Sequence, residues 1–435
     1  MFFSNLKLNF KAAVNKPTST WSWKRSEGLA FAESHIGIGY PTPSTLSYSW
    51  SFGSLAGLCL VSQILTGLFL SMSYTGNVEY AFDSIDYMSR EIPLAVMVRY
   101  LHANGASMFF AFIYLHIFRS IWYRSFLRNK MAWYSGVIVY FLAMATAFLG
   151  YVLPYGQMSY WGATVITNFL TVLPYGAGDA VAEWVWGGFA VGAPTLTRFF
   201  SWHYLMPIII LVIVIVHLML LHETGSTSPS AARPVDGEVV GFYPMYFTKD
   251  LVTLIGFCFV TAVLAFFSPD LLGHPDNYIA ANPYVTPAHI VPEWYFLPFY
   301  AILRAIPHKA LGVVMMILAI VAFATLPNMG ALQANGAGVP PRLARLWLLN
   351  FVALGVLGAC PAEYPYTYAA QFCTIAYFLL MLYPIYVARQ CEKDDQRAMD
   401  IMMGKIRLNS NGNKKSYRSV VLSTVRQAIR TLVRR

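Results

Sequence analysis

Eight apolar blocks punctuate the chain, at about residues 49–73 (A), 94–122 (B), 133–153 (C), 200–221 (D), 250–268 (E), 309–327 (F), 343–359 (G) and 366–387 (H). Each is close to the ~20 residues that a helix needs to cross a hydrocarbon core roughly 30 Å thick. None shows the alternation of a membrane barrel, so the blocks predict helices, whose backbone polar groups are satisfied within the segment. The polar flanks set direction. Lys7, Lys11, Lys16, Lys24 and Arg25 precede A, Arg119, Arg124, Arg128 and Lys130 follow B, and Arg342 and Arg345 precede G. The alternate connections contain Glu79, Asp83, Asp86, Asp179, Glu183 and Glu363 instead. The positive-inside rule therefore puts both termini on one side, the N side, opposite the P side.

Composition points the same way. Of 435 residues 57% are hydrophobic and only 11% charged, against roughly 25% charge in soluble domains. This excludes a disordered, collagenous or disulfide-scaffold protein. The five cysteines, Cys59, Cys258, Cys360, Cys373 and Cys391, form no C-x-x-C pair and no C-x-x-C-H signature, so any haem is held without thioether bonds. Cys59 and Cys258, inside apolar blocks, are expected to be small buried hydrophobes. The stretch from Met1 to about Pro43 lacks the apolar core and cleavage site of a secretory signal and reads as a retained N-side segment.

Blocks B and D each contain two histidines 14 residues apart, His102 and His116 in B and His203 and His217 in D. Fourteen residues are just under four helical turns, so each pair shares a face with about 21 Å of rise between its members. B and D run in the same direction, so His102 meets His203 near the P surface and His116 meets His217 nearer the N surface. Intramembrane histidine is costly and marks function. Zinc favours tetrahedral sites completed by cysteine or carboxylate, and none stands at these depths. Paired imidazoles from facing helices suit haem iron with both axial positions filled, a site for electron transfer.

Glycines add an independent sign. Block A has Gly53 and Gly67 and block C has Gly136 and Gly150, again 14 apart. Running opposite to B and D, they put Gly53 and Gly136 at the depth of His116 and His217, and Gly67 and Gly150 at the depth of His102 and His203. Only glycine lets neighbouring backbones close on a macrocycle, although small residues also serve ordinary helix packing. Arg99 and Arg119 sit three residues outside His102 and His116, where guanidinium can hold haem propionates or snorkel to the interface.

Two such haems form an electron path between the membrane faces, which needs a donor site and an acceptor site. Connections 154–199, rich in Gly, Trp and Tyr, and 269–308, rich in proline, are too long for simple loops. The second contains Pro292-Glu293-Trp294-Tyr295, where a desolvated carboxyl can accept a proton from a quinol. On the N side, His222, Ser226, Lys249 and Asp250 can deliver protons to a quinone, or anchor helix ends. Two rival classes are a proton-relaying transporter, for which the chain lacks matching halves, and a dihaem dehydrogenase anchor, which has no use for Pro292-Glu293-Trp294-Tyr295 opposite an N-side cluster.

These residues resemble the cytochrome b family, the membrane core of mitochondrial ubiquinol:cytochrome c reductase (respiratory complex III). The likeness runs from about Ser51 to Pro384. Its motifs are Ser51-Phe52-Gly53-Ser54-Leu55 through Gly67, His102-Ala103-Asn104-Gly105-Ala106-Ser107, Gly150 to Ser159, Trp161 to Asn168, His222-Glu223-Thr224-Gly225-Ser226 and Pro292-Glu293-Trp294-Tyr295. The resemblance implies that His102 and His203 ligate a low-potential b haem and His116 and His217 a high-potential one. It implies a quinol-oxidising pocket of Glu293, Tyr300, Phe148, Tyr151 and Gly162, and a quinone-reducing pocket of His222, Ser226, Lys249, Asp250 and Phe242. It further implies ubiquinol and ubiquinone as substrates and a Q-cycle. The implied partners are a Rieske iron-sulfur subunit, a c-type cytochrome and accessory subunits, in a homodimeric complex of the mitochondrial inner membrane or, alternatively, a bacterial plasma membrane. The photosynthetic branch is split into two chains with one more residue between the fourth-helix ligands, so the respiratory branch is favoured. Ser228 to Val240 and residues 389–435 depart from the family.

The expected fold is thus an all-α polytopic membrane protein of eight transmembrane helices, the first four forming a bundle around two stacked haems. Its parts are an N-side segment (1–48), the dihaem bundle (49–222), an N-side connection (223–249), a C-terminal membrane part (250–388) and an extension (389–435). That extension holds 12 Lys and Arg against four Asp and Glu, a surplus of +8 out of the chain's +10. The basicity therefore argues against nucleic acid and for anionic lipid or an accessory subunit on the N side, or a solvated tail that reinforces orientation.

Overall fold

The computed structural model describes residues 40–123, 125–229, 239–328 and 341–381. The lysines of the first 39 residues, Arg25, Arg124, Cys391 and the basic extension lie outside them. In chain order the helices are α1 (Phe52–Ser71), α2 (Ala81–Glu91), α3 (Ala95–Trp122), α4 (Lys130–Val152), α5 (Gln157–Thr167), α6 (Ala177–Trp186), α7 (Ala193–Thr224), α8 (Met245–Phe267), α9 (Leu297–Ala305), α10 (Lys309–Thr325) and α11 (Pro341–Ala359). Residues 366–381 are helical as well. As far as the described residues reach, each apolar block thus coincides with a helix, the last of them through residue 381.

Among the described residues five helical stretches are long and apolar enough to cross a membrane: Tyr48–Ser71, α3, α4, α7 and α8. By that measure of length and composition, these five of the eight expected spans are met among the described residues. The 17 residues of α10 rise about 26 Å at 1.5 Å per residue, and a 3-10 turn, Leu326–Asn328, prolongs it. The ends of the longest helix, α7, follow from its sequence. Pro194 occupies its first turn, Thr195 Oγ1 accepts from the Gly192 amide at 3.0 Å, and Gly225 ends it at φ 72°.

Connection 154–199 is built of α5 and α6, which its glycines and aromatics conceal from a periodicity reading. Gly176 (φ 76°) and Gly187 (φ 71°) bracket α6 in the left-handed region. The proline-rich connection is tied to α5 by side chains: Asn277 Oδ1 accepts from the Ser159 amide at 2.9 Å, and Gln157 Nε2 donates to the Val285 carbonyl at 2.9 Å.

The α1 helix packs along α3, α4 along α7, and α1 also touches α7, giving a four-helix bundle. Buried polar groups in this apolar interior are costly unless paired, and their pairs fasten the C-terminal helices on. Tyr114 Oη of α3 donates to the Tyr295 carbonyl at 2.5 Å and lies 3.1 Å from Tyr140 Oη of α4. Trp133 Nε1 donates to the Phe323 carbonyl at 2.8 Å, and Tyr377 Oη to the Ala319 carbonyl at 2.9 Å. The outward faces of α7 and α8 expose Val212, Ile215, Val216, Ile255 and Phe259, surfaces that only hydrocarbon solvates favourably. One expectation is corrected here. Cys59 is buried, but Cys258 lies exposed on α8, because that helix buries only a narrow stripe against the bundle.

Candidate functional site: paired histidines and two pockets

The four histidines meet in two pairs. His102 and His203 have ring centres 6.1 Å apart at 84°, and His116 and His217 6.4 Å apart at 64°. A metal–imidazole bond of about 2.0 Å, with about 1.1 Å from nitrogen to ring centre, sets two coaxial ligand rings about 6.2 Å apart. Both pairs therefore stand at the separation one metal ion would bridge. Among the described residues no three His, Cys, Asp or Glu converge into a cage. A macrocycle would supply the remaining donors at such an ion.

Hydrogen bonds fix the tautomers. Thr66 Oγ1 gives its proton to the Ser62 carbonyl at 2.6 Å, so at 2.9 Å from His102 Nδ1 it accepts. Ser135 Oγ likewise donates to the Ala132 carbonyl at 2.9 Å and accepts from His217 Nδ1 at 2.8 Å. His203 Nδ1 donates to the Thr146 carbonyl at 2.8 Å. In all three rings Nδ1 holds the proton and Nε2 keeps its lone pair, the form in which imidazole ligates metal.

His116 differs: Arg119 Nη2 lies 3.0 Å from its Nδ1, and Arg119 Nε is buried with no hydrogen-bond partner. A guanidinium only donates, and this buried one has an unmatched N–H that a carboxylate such as a haem propionate would satisfy, freeing Nδ1 to carry its proton. Arg99, at the other end of α3, donates to Ser89 Oγ at 3.1 Å and lies over the Tyr278 ring at 5.5 Å.

The glycines stand against the imidazoles. A Cβ on Gly53 would lie 3.0 Å from His116 Cε1, on Gly67 3.1 Å from His102 Cε1, and on Gly136 3.1 Å from His217 Cε1. On Gly150 it would meet His203 Nδ1 at 2.8 Å, with Cε1 nearer still. A side chain at any of the four would push on a ring.

On the P side, Phe148, Tyr151, Gly162, Glu293 and Tyr300 line one partly open cavity, together with Ile166, Phe169 and Phe296. Its wall is apolar apart from a few polar groups, the composition of sites that take small organic ligands. The motif residues divide the work. Tyr295 stacks on Phe110 with ring centres 4.1 Å apart, and Trp294 Nε1 donates to Ser107 Oγ at 3.1 Å, so both anchor the segment on α3. Glu293 faces the cavity. Burial pushes its carboxyl up to about 7, against the pull of a hydrogen bond from Tyr151. Tyr300 Oη donates to the Ile290 carbonyl at 3.0 Å; burial raises its pKa, while the Arg304 guanidinium, 4.6 Å from its ring, opposes the rise.

On the N side, His222 stacks on Tyr40, ring centres 4.5 Å apart at 30°. The Tyr40 carbonyl accepts from the Phe242 amide at 2.9 Å, bringing Phe242 to the same corner. Asp250 accepts from Ser54 Oγ of α1 at 2.8 Å. Lys249 donates to the Leu46 carbonyl at 2.9 Å, between the rings of Tyr246 and Tyr48. Ser226 follows the Gly225 turn and is half-buried. Segment 40–54 is thus the part that touches His222, Phe242, Lys249 and Asp250 alike.

Sequence reasoning passed over Thr66, Ser135, Thr146, Tyr40 and Ser54. A signal existed for two of them, since a hydroxyl residue directly precedes Gly67 and Gly136. Tyr40 and Ser54 carried none.

Comparison with known proteins agrees with this geometry. A family model described as Cytochrome b/b6/petB matches residues 37–225, and one described as Cytochrome b(C-terminal)/b6/petD matches residues 280–378. Cytochrome b of Phytophthora megasperma is 49% identical over 349 residues, which cover 79% of this chain and 90% of that protein. Cytochrome b of Chondrus crispus is 45% identical over 372 residues, covering 84% and 96%. A chain from a solved structure named hyperthermophilic respiratory Complex III superposes with a TM-score of 0.76 at 28% identity, covering 83% of this chain and 96% of its own. With both halves matched and the histidines paired at two depths, the chain belongs to the cytochrome b family, the membrane electron-transfer subunit of respiratory complex III.

Proposed function

We propose that the chain oxidises ubiquinol in the P-side cavity and reduces ubiquinone at the N-side cluster, with two non-covalent b haems held by His102 with His203 and by His116 with His217. The observation that carries this reading is the two imidazole pairs, 6.1 and 6.4 Å between ring centres at separate depths. Bound there, the haems supply one-electron carriage between the two membrane faces.

The chain's own groups handle the protons. At the P side the Glu293 carboxylate takes a proton from quinol and Tyr151 orients it, while the apolar wall excludes water. Each quinol yields two electrons and two protons; one electron leaves through a Rieske iron-sulfur partner toward a c-type cytochrome, and the other crosses to the N side. There His222 and Asp250 supply protons to quinone; at the two ends of α3, Arg99 and Arg119 would hold the propionates of bound haems. Proton release on one side and uptake on the other make a Q-cycle that contributes to the proton gradient. The setting is a homodimeric complex of the mitochondrial inner membrane with both termini on the matrix side.

The test is Glu293→Gln in the intact complex. Glutamine cannot accept the proton, so quinol:cytochrome c reductase activity falls roughly a hundredfold, the low end of general-base contributions, with haem spectra unchanged. The ionised carboxylate is the working form and prevails above about pH 7. Wild-type quinol oxidation therefore rises with pH through that region, and the variant loses this limb. A variant with wild-type rate and pH profile removes Glu293 from the mechanism.

A further inference from the structure

We propose that Tyr40 is a positioning residue of the N-side pocket, its ring holding the His222 imidazole in place and forming an aromatic wall for the flat quinone head group. The inference rests on the reading of the N-side cluster as a quinone-reducing site.

The segment bearing Tyr40 is fastened without any help from its ring. Pro41–Pro43 pair antiparallel with Val239–Gly241. The Tyr40 carbonyl accepts from the Phe242 amide at 2.9 Å. Tyr246 Oη donates to the Pro43 carbonyl at 2.5 Å and accepts from the Leu46 amide at 3.1 Å, and Lys249 Nζ holds the Leu46 carbonyl at 2.9 Å. A strap from 40 to 46 is thereby bound along the start of α8, and a side chain of another kind at 40 leaves these bonds intact. The Tyr40 ring lies instead on the imidazole of His222, at 4.5 Å and 30°. His222 stands in the last turn of α7, which gives way at Gly225 (φ 72°). Offset stacking is the arrangement aromatic rings favour, and a quinone ring offers a face of the same kind. Tyr40 therefore connects the strap to the His222 imidazole.

The experiment uses the intact complex in membranes, with the P-side pocket blocked by a competitive inhibitor. Reoxidation of the pre-reduced N-side haem is followed against the concentration of a short-chain ubiquinone. Tyr40→Leu, which keeps bulk and loses the flat ring, raises the half-saturating quinone concentration about three- to tenfold, the range of an aromatic pair. Its maximal rate falls as well, because the His222 imidazole is no longer held, its haem spectra stay at wild type, and Tyr40→Phe, which keeps the ring, behaves as wild type. Tyr40→Met replaces the leucine variant, with the same expectations, if that variant fails to assemble. An unchanged half-saturating concentration overturns the inference. So does a lowered one, since the ring would then be obstructing the pocket. Asp250→Asn separates the two readings. If it slows reoxidation and Tyr40→Leu does not, only the role of Tyr40 falls; if it too has no effect, the assignment of the N-side site falls with it.

Discussion

His116→Ala leaves the complex with one b haem in place of two. The ring of His116 faces the His217 imidazole at 6.4 Å, and on the proposed ligand set alanine removes one of the two axial donors at that depth. The same change detaches Arg119 from its contact with Nδ1, so the guanidinium no longer has a ligand ring beside it. The His102–His203 pair, about 21 Å away along the helix axes, keeps its own hydrogen bonds to Thr66 and Thr146. Half of the b-type absorbance is therefore lost, and the remaining half keeps its low-spin form. Electron flow to the N side stops. The measurement is the haem content per chain in purified complex; two haems in the variant would remove His116 from the ligand set.

Gly150→Val strikes the other pair without touching a ligand. A Cβ at this position already meets His203 Nδ1 at 2.8 Å, tighter than real side chains tolerate, and valine adds two methyl groups there. The ring cannot retreat along Nδ1, whose proton is held by the Thr146 carbonyl at 2.8 Å. Displacement of His203 is the remaining outcome, and with it loss of the P-side haem, while the N-side haem persists. Spectra of the variant report this as the reverse of the His116→Ala pattern. Equal loss of both haems, or of neither, would show that the glycine does not act through His203.

Much of this was legible in the sequence, for a physical reason. A bilayer demands helices of one length with internally satisfied backbones, so apolar blocks and their flanking lysines and arginines give spans and directions together. Once directions are fixed, a spacing of 14 in two histidine pairs and two glycine pairs places eight residues in depth without any contact being known. The pocket residues Phe148, Tyr151, Gly162, Glu293 and Tyr300 converge on one cavity although α5 and the proline-rich segment are 118 or more residues apart where Ser159 meets Asn277. Resemblance to a family supplied that grouping; periodicity alone did not.

What stayed hidden depends on packing between distant segments. The hydroxyls of Thr66 and Ser135 look like ordinary helix residues until the turn below takes their protons and leaves them as acceptors for imidazole. The pairing of Pro41–Pro43 with Val239–Gly241 joins segments about 200 residues apart through two three-residue strands, too short for any alternation to register. The connecting helices α5 and α6 are short, and glycines and aromatics masked them. Cys258 shows the converse error: an apolar sequence was read as buried, whereas in a membrane helix the outward face is apolar as well.

The account turns on two haems, each held between two imidazoles of this chain. A potentiometric titration of the intact complex, read by reduced-minus-oxidised absorbance in the b region, tests it most directly. The predicted result is two b-type components of about equal size with separate midpoint potentials, both low-spin and neither retained through thioether bonds. A single component, or no b-type absorbance at all, would contradict it.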